Sequence, residues 1–127
     1  MGGRDLSARR PTWAEINLDA LAANFRAVRA LVSPGVKIMA VVKADAYGHG
    51  CVEVSRAAVE GGADSLAVVT VEEGAELRRA GLTVPILVFT DLPPEALPLA
   101  AQHRLAVTAH SIPSARRMVA SLDLEVH

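Results

Sequence analysis

Short apolar runs rich in β-branched residues recur along this chain, each separated from the next by enough residues for one helix. That rhythm constrains the fold more than any other feature. The runs cover residues 36–44, 65–70, 85–90 and 104–108, with centres near 39, 67, 87 and 106. They are apolar on both sides rather than alternating, the pattern of parallel strands buried on both faces. Residues 13–18 (Trp-Ala-Glu-Ile-Asn-Leu) alternate and read as an additional strand.

The segments between the runs read as amphipathic helices. Leu18, Leu21, Phe25, Val28 and Leu31 fall at helical spacing before Ser33-Pro34-Gly35 ends the helix. Thr70-Val-Glu-Glu73 is a capping box; Arg78 and Arg79 close that helix and Gly81 follows as a C-cap. Asp91-Leu-Pro-Pro-Glu95 opens another helix with prolines where a first turn tolerates them, and Ser111-Ile-Pro-Ser114 opens the last. A complete (β/α)8 barrel takes about 250 residues, roughly 31 per unit, so 127 residues hold about four units. Residues 124–127 read as a fifth strand just starting. The expected architecture is therefore α/β, about the first half of a (β/α)8 TIM-type barrel. Residues 1–11 read as a flexible N-terminal segment and 12–127 as a truncated barrel domain. A complete open α/β sheet of four or five strands is the competing architecture.

Composition narrows the function. With 13 basic against 14 acidic residues there is no basic surplus to hold a phosphate backbone, so nucleic acid is not an expected partner. No apolar run approaches the roughly 18 residues of a membrane span, and the first ten residues lack the apolar core of a secretion signal. The single cysteine, Cys51, forms no internal disulfide, which fits a cytoplasmic protein. Eleven of the 13 basic residues are arginine; the only lysines are Lys37 and Lys43.

Lys43 ends the most apolar stretch of the sequence. A lysine at the carboxyl end of a buried strand sits on the catalytic face of either α/β architecture. Apolar neighbours disfavour its ammonium form and expose a nucleophilic amine, as a Schiff-base lysine requires. On position alone, a strand-end lysine snorkelling to solvent explains it equally well. Tyr47-Gly-His-Gly50 follows at once. Its glycines permit close approach of an anion, it leads into a helix beginning near Val52 whose N-terminus favours phosphate, and the Tyr47 phenol can donate to that phosphate.

Ala40-Val-Val-Lys43-Ala-Asp-Ala-Tyr47-Gly-His-Gly50 closely resembles the pyridoxal-phosphate attachment motif of bacterial alanine racemases. The resemblance extends through residues 12–21, Gly62-Ala-Asp-Ser-Leu-Ala-Val68 and Pro85-Ile-Leu-Val88, nearly the whole chain after residue 11. It implies pyridoxal 5'-phosphate as cofactor and interconversion of L- and D-alanine for cell-wall precursors. Lys43 would be the Schiff-base lysine and the base on one face of Cα, and Tyr47 would hydrogen-bond the cofactor phosphate. It further implies a homodimer in the intact family. There a partner-subunit tyrosine serves the second face, and an arginine from later strands meets the pyridine nitrogen. Neither is in this chain, whose only tyrosine is Tyr47, so alone it is expected to be inactive or weak. Another barrel enzyme using the same cofactor (a broader racemase or a decarboxylase) and a non-catalytic cofactor-binding module are the alternatives.

Other residues read more plainly. Val41 and Phe89, near strand ends, are pocket-lining or simply core. His49 supports the loop or faces solvent, and Asp45, where the family often has asparagine, is structural. Cys51 starts a helix. Glu72 and Glu73 cap one, and Arg116 and Arg117 form a solvated helix face. His103, His110 and His127 lack metal-binding spacing, so no metal is expected.

Overall fold

A computed structural model describes residues 13–121. The segment expected to be flexible over 1–11 and the strand expected at 124–127 lie outside the described residues. The element order is α1 (Leu18–Leu31), β1 (Met39–Val41), α2 (Lys43–Gly48), α3 (Cys51–Glu60), β2 (Ser65–Val68), α4 (Val71–Arg79), β3 (Ile86–Val88), a 3-10 turn (Pro94–Ala96), α5 (Leu97–Gln102), β4 (Ala106–Val107) and α6 (Ile112–Ser121). All four strands are parallel, and their spatial order is β1-β2-β3-β4.

That order decides between the two architectures. A doubly wound sheet reverses its strand order to place helices on both faces. Here the order never reverses, so successive right-handed crossovers fall on one side. Burial follows this geometry. The row that includes Ala40, Leu66 and Ile86, with Val42, Val68 and Val88, is buried against the helices. The opposite row joins Val41, Ala67, Leu87 and Ala106 in register, and of these only the small Ala67 is buried. Met39 and Val41 stand 47% and 43% exposed. Side chains of a barrel interior occupy this second row, and the four βα units make a half-barrel.

The strands are shorter than the apolar runs that carry them, because ladder pairing covers only two to four residues of each. The strand expected at 13–18 does not form. A strand needs a hydrogen-bonded neighbour, and among the described residues the sheet holds the four strands named, none of them paired with this segment. Residues 13–17 are exposed, and Asn17 is the N-cap of α1, its side chain accepting from the Ala20 N–H at 2.9 Å. The helix expected after Asp91 starts as the 3-10 turn and continues as α5, with a proline in the first turn of each.

Two arginines fasten the units together. Arg78 donates to the carbonyls of Leu82, Val84, His103 and Arg104 at 2.7–3.1 Å, joining the end of α4 to the entrances of β3 and β4. Arg29 on α1 pairs with Asp64 and donates to the Val36 and Gly62 carbonyls. Asp64 in turn accepts from the Ile38 N–H at 2.7 Å, which sets the entrance of β1.

Candidate functional site

The site begins where β1 stops. Val42 is buried and donates its N–H to the Ala67 carbonyl at 2.9 Å, continuing the ladder one residue past the strand. Lys43 then leaves the sheet at its carboxyl end. The chain does not enter an ordinary helix: Ala44, Asp45, Ala46 and Tyr47 all have φ between 52° and 58°, so α2 is a left-handed turn of four non-glycine residues. Such backbone costs roughly 1–2 kcal/mol per L-residue, and single residues are its usual limit. Gly48 and Gly50 continue at φ 83° and 92°. Their place in the motif is explained by conformation, since no L side chain sits comfortably there.

Hydrogen bonds hold this strained turn from several directions. Ala46 N–H donates to the Val42 carbonyl at 3.0 Å, and Gly50 N–H to the Asp45 carbonyl at 2.9 Å. The Asp45 carboxylate accepts from Cys51 N–H at 2.7 Å, and the His49 ring meets the Ala46 carbonyl at 2.8 Å. From outside the motif, Glu73 Oε1 accepts from Ala44 N–H at 2.7 Å. The other oxygen of Glu73 accepts from Val69 and Thr70 N–H at 2.8 and 3.0 Å. Burial by itself would raise the Glu73 carboxyl. The Thr70, Val69 and Ala44 amides, aided by the Lys43 charge, outweigh it and hold the group below the usual carboxylate range.

The Lys43 ammonium lies against two rings, 5.9 Å from the Tyr47 centroid and 5.7 Å from that of Phe89, within cation–π reach. The structure thus brings Lys43, Tyr47 and Phe89 together at the carboxyl end of the sheet. Tyr47 is 60% exposed. Val41 instead lines a neighbouring cleft of about 420 Å³ between α1 and β1, with Asn17, Asn24, Tyr47 and His49. Asp45 and His49 act on the backbone, as their structural reading expected.

The phosphate reading of the next helix needs correction. The helix starts at Cys51, and its first N–H already belongs to the Asp45 carboxylate. A second anion there would meet that negative charge. Cys51 itself is buried, and burial, with Glu76 and Asp45 nearby, pushes its thiol up to about 11, which leaves it protonated and inert. Arg116 and Arg117 are exposed; Arg117 approaches Asp91 only at 3.7 Å. Among the described residues no group of three or more His, Cys, Asp or Glu could hold a metal ion.

Sequence reasoning missed two features. Nothing in Ala-Asp-Ala-Tyr announces four consecutive left-handed residues. The spacing explains Glu73 by its cap, a role it does fill through Oε2; its Oε1 reaches a segment 29 residues earlier, and only three-dimensional proximity reveals that.

Residues 16–127 match the family described as alanine racemase, N-terminal domain. The chain belongs to that family. It is 45% identical over 112 residues to the alanine racemase of Desulforamulus reducens, covering 88% of this chain and 30% of that protein. Alanine racemase 2 of Bacillus subtilis is 58% identical over 85 residues, 65% of this chain and 22% of the relative. The crystal structure of alanine racemase from E. faecalis superposes with a TM-score of 0.85 at 35% identity, over 91% of this chain and 31% of that one. The chain thus spans about three tenths of the length of the Desulforamulus reducens relative and of the E. faecalis structure, and about a fifth of the Bacillus subtilis one. Their fold agrees with the half-barrel described above. The donor set suits a phosphorylated aldehyde cofactor: a primary amine to bond a carbonyl carbon, flanked by rings, with an exposed phenol four residues on.

Proposed function

We propose that this alanine racemase N-terminal chain carries the cofactor-attachment half of a pyridoxal-phosphate-dependent site for interconverting L- and D-alanine. The observation that carries the reading is Lys43 Nζ held against Tyr47 and Phe89 on a strained, multiply bonded turn. Lys43 would hold the cofactor through its amine and would move the Cα proton of the amino acid on one face. The bound cofactor supplies the electron sink that makes that proton removable. Tyr47 would donate to the phosphate, and Phe89 packs beside the amine. Tyr47 is the only tyrosine, so a proton for the opposite face comes from outside this chain, in keeping with a homodimeric assembly of the whole enzyme. Turnover by these 127 residues alone is accordingly weak or absent. Supply of D-alanine to cell-wall precursors, in the cytoplasm, is the setting this reading implies. No described helix is long and apolar enough to cross a membrane.

Incubation with pyridoxal phosphate, reduction with borohydride and peptide mapping by mass spectrometry test the reading. With Lys37 as internal reference, selective labelling of Lys43 supports it. Equal labelling of both lysines, or of neither, refutes cofactor attachment by this chain.

A further inference from the structure

We propose that Glu73 is a positioning residue for Lys43, its carboxylate pinning the first amide of the left-handed turn to the junction of β2 and α4. The inference rests on the reading of Lys43 as the cofactor lysine. Three backbone N–H groups from two separate segments converge on this one side chain: Ala44 on Oε1, and Val69 and Thr70 on Oε2. The capping box needs only the second oxygen, together with Thr70 Oγ1 accepting from Glu73 N–H at 3.2 Å. The first oxygen therefore has a separate task. Ala44 directly follows Lys43 and is the first residue with positive φ. Releasing its amide lets the backbone relax toward right-handed or extended geometry, which swings the Lys43 side chain off the Tyr47 and Phe89 rings. Charge assists as well as shape, because the Lys43 ammonium acts favourably on this carboxylate.

Glu73→Gln separates the two tasks. Its single carbonyl oxygen can keep Val69 and Thr70, but its NH2 would then face the Ala44 N–H, donor against donor. Glu72→Gln, at an exposed neighbour on the same helix, is the control. Two measurements are made on the full chain: amide hydrogen exchange across residues 44–48 without cofactor, and the Lys43-to-Lys37 ratio after pyridoxal phosphate and borohydride. In Glu73→Gln we expect exchange at least tenfold faster and a labelling ratio at least tenfold lower, with a melting temperature matching Glu72→Gln. Unchanged exchange overturns the proposal. So does faster exchange with an undiminished ratio, since the lysine would then not depend on the turn. If the wild-type chain shows no preference for Lys43, the cofactor reading fails; the cofactor-free exchange arm still decides whether Glu73 holds the turn. A Glu73→Gln chain that unfolds shows the cap and the pin to be one task and also overturns the proposal.

Discussion

Replacing Gly61 by alanine tests the packing of α1 on the half-barrel. Gly61 caps α3 at φ −76°, a conformation alanine adopts without strain. The cost is therefore steric. A Cβ there would stand 2.7 Å from Phe25 Cβ, 2.8 Å from the Ala22 carbonyl oxygen and 3.1 Å from Ala22 Cα. Two of these three are backbone atoms of α1, so no rotamer change relieves the clash and the whole helix must move. Overpacking of this kind costs about 1–3 kcal/mol. Alanine also restricts the unfolded chain, which returns roughly 0.4–1 kcal/mol. The net expectation is a loss of about 1–2 kcal/mol, or a fall of some 4–8 °C in Tm at a sensitivity near 4 °C per kcal/mol. Gly35→Ala makes the same chemical change where nothing lies within 4 Å, and should instead stabilise by up to about 1 kcal/mol. Urea and thermal melts followed by far-ultraviolet circular dichroism measure both. The two substitutions must have opposite signs; a Gly61→Ala chain as stable as Gly35→Ala refutes the close approach of α1 and α3.

Thr70→Ala removes the hydroxyl that caps α4 and should cost about 1 kcal/mol in the same melts, with Thr70→Ser near neutral. Asp64 gives a pH signature: the Ile38 N–H, opposed by burial and aided by Arg29, holds its carboxyl below the usual range. A depressed pKa contributes stability that is full above the unfolded value of about 3.9 and is lost as pH falls through the folded value. Asp64→Asn should therefore flatten the acid limb of the stability–pH curve below about pH 4; an unchanged limb argues against the pairing.

How much of this was legible in the sequence depended on how local each cause is. The capping box needs only Thr70 and Glu73, and it forms as the spacing predicts. The βα rhythm is written in apolar runs, and four units follow from it. Strand order is not local: the half-barrel and an open sheet share the same runs, and only the unreversed pairing of β1 to β4 separates them. Residues 13–18 alternate like a strand yet lack a partner, since periodicity records which side chains differ and not what lies beside them. The left-handed turn was hidden for the opposite reason. Ala44, Asp45, Ala46 and Tyr47 are held against their own preferences by distant groups such as Glu73, so their identities do not announce their conformation. That Lys43 and Tyr47 lie side by side follows from a contiguous motif, whereas Phe89, at the end of β3, meets the ammonium across the intervening β2.

The strand order also has a kinetic consequence. Each ladder joins a strand to the next one in sequence: Met39 to Ser65, Leu66 to Ile86, Leu87 to Ala106. Among the described strands each pairing is with the next in sequence, so loop-closure entropy is met in small, similar instalments. A chain emerging amino end first can dock each unit on the one already formed. The turn that carries Lys43 can form with the first unit, but the Glu73 carboxylate that accepts from Ala44 N–H belongs to α4, one βα unit later.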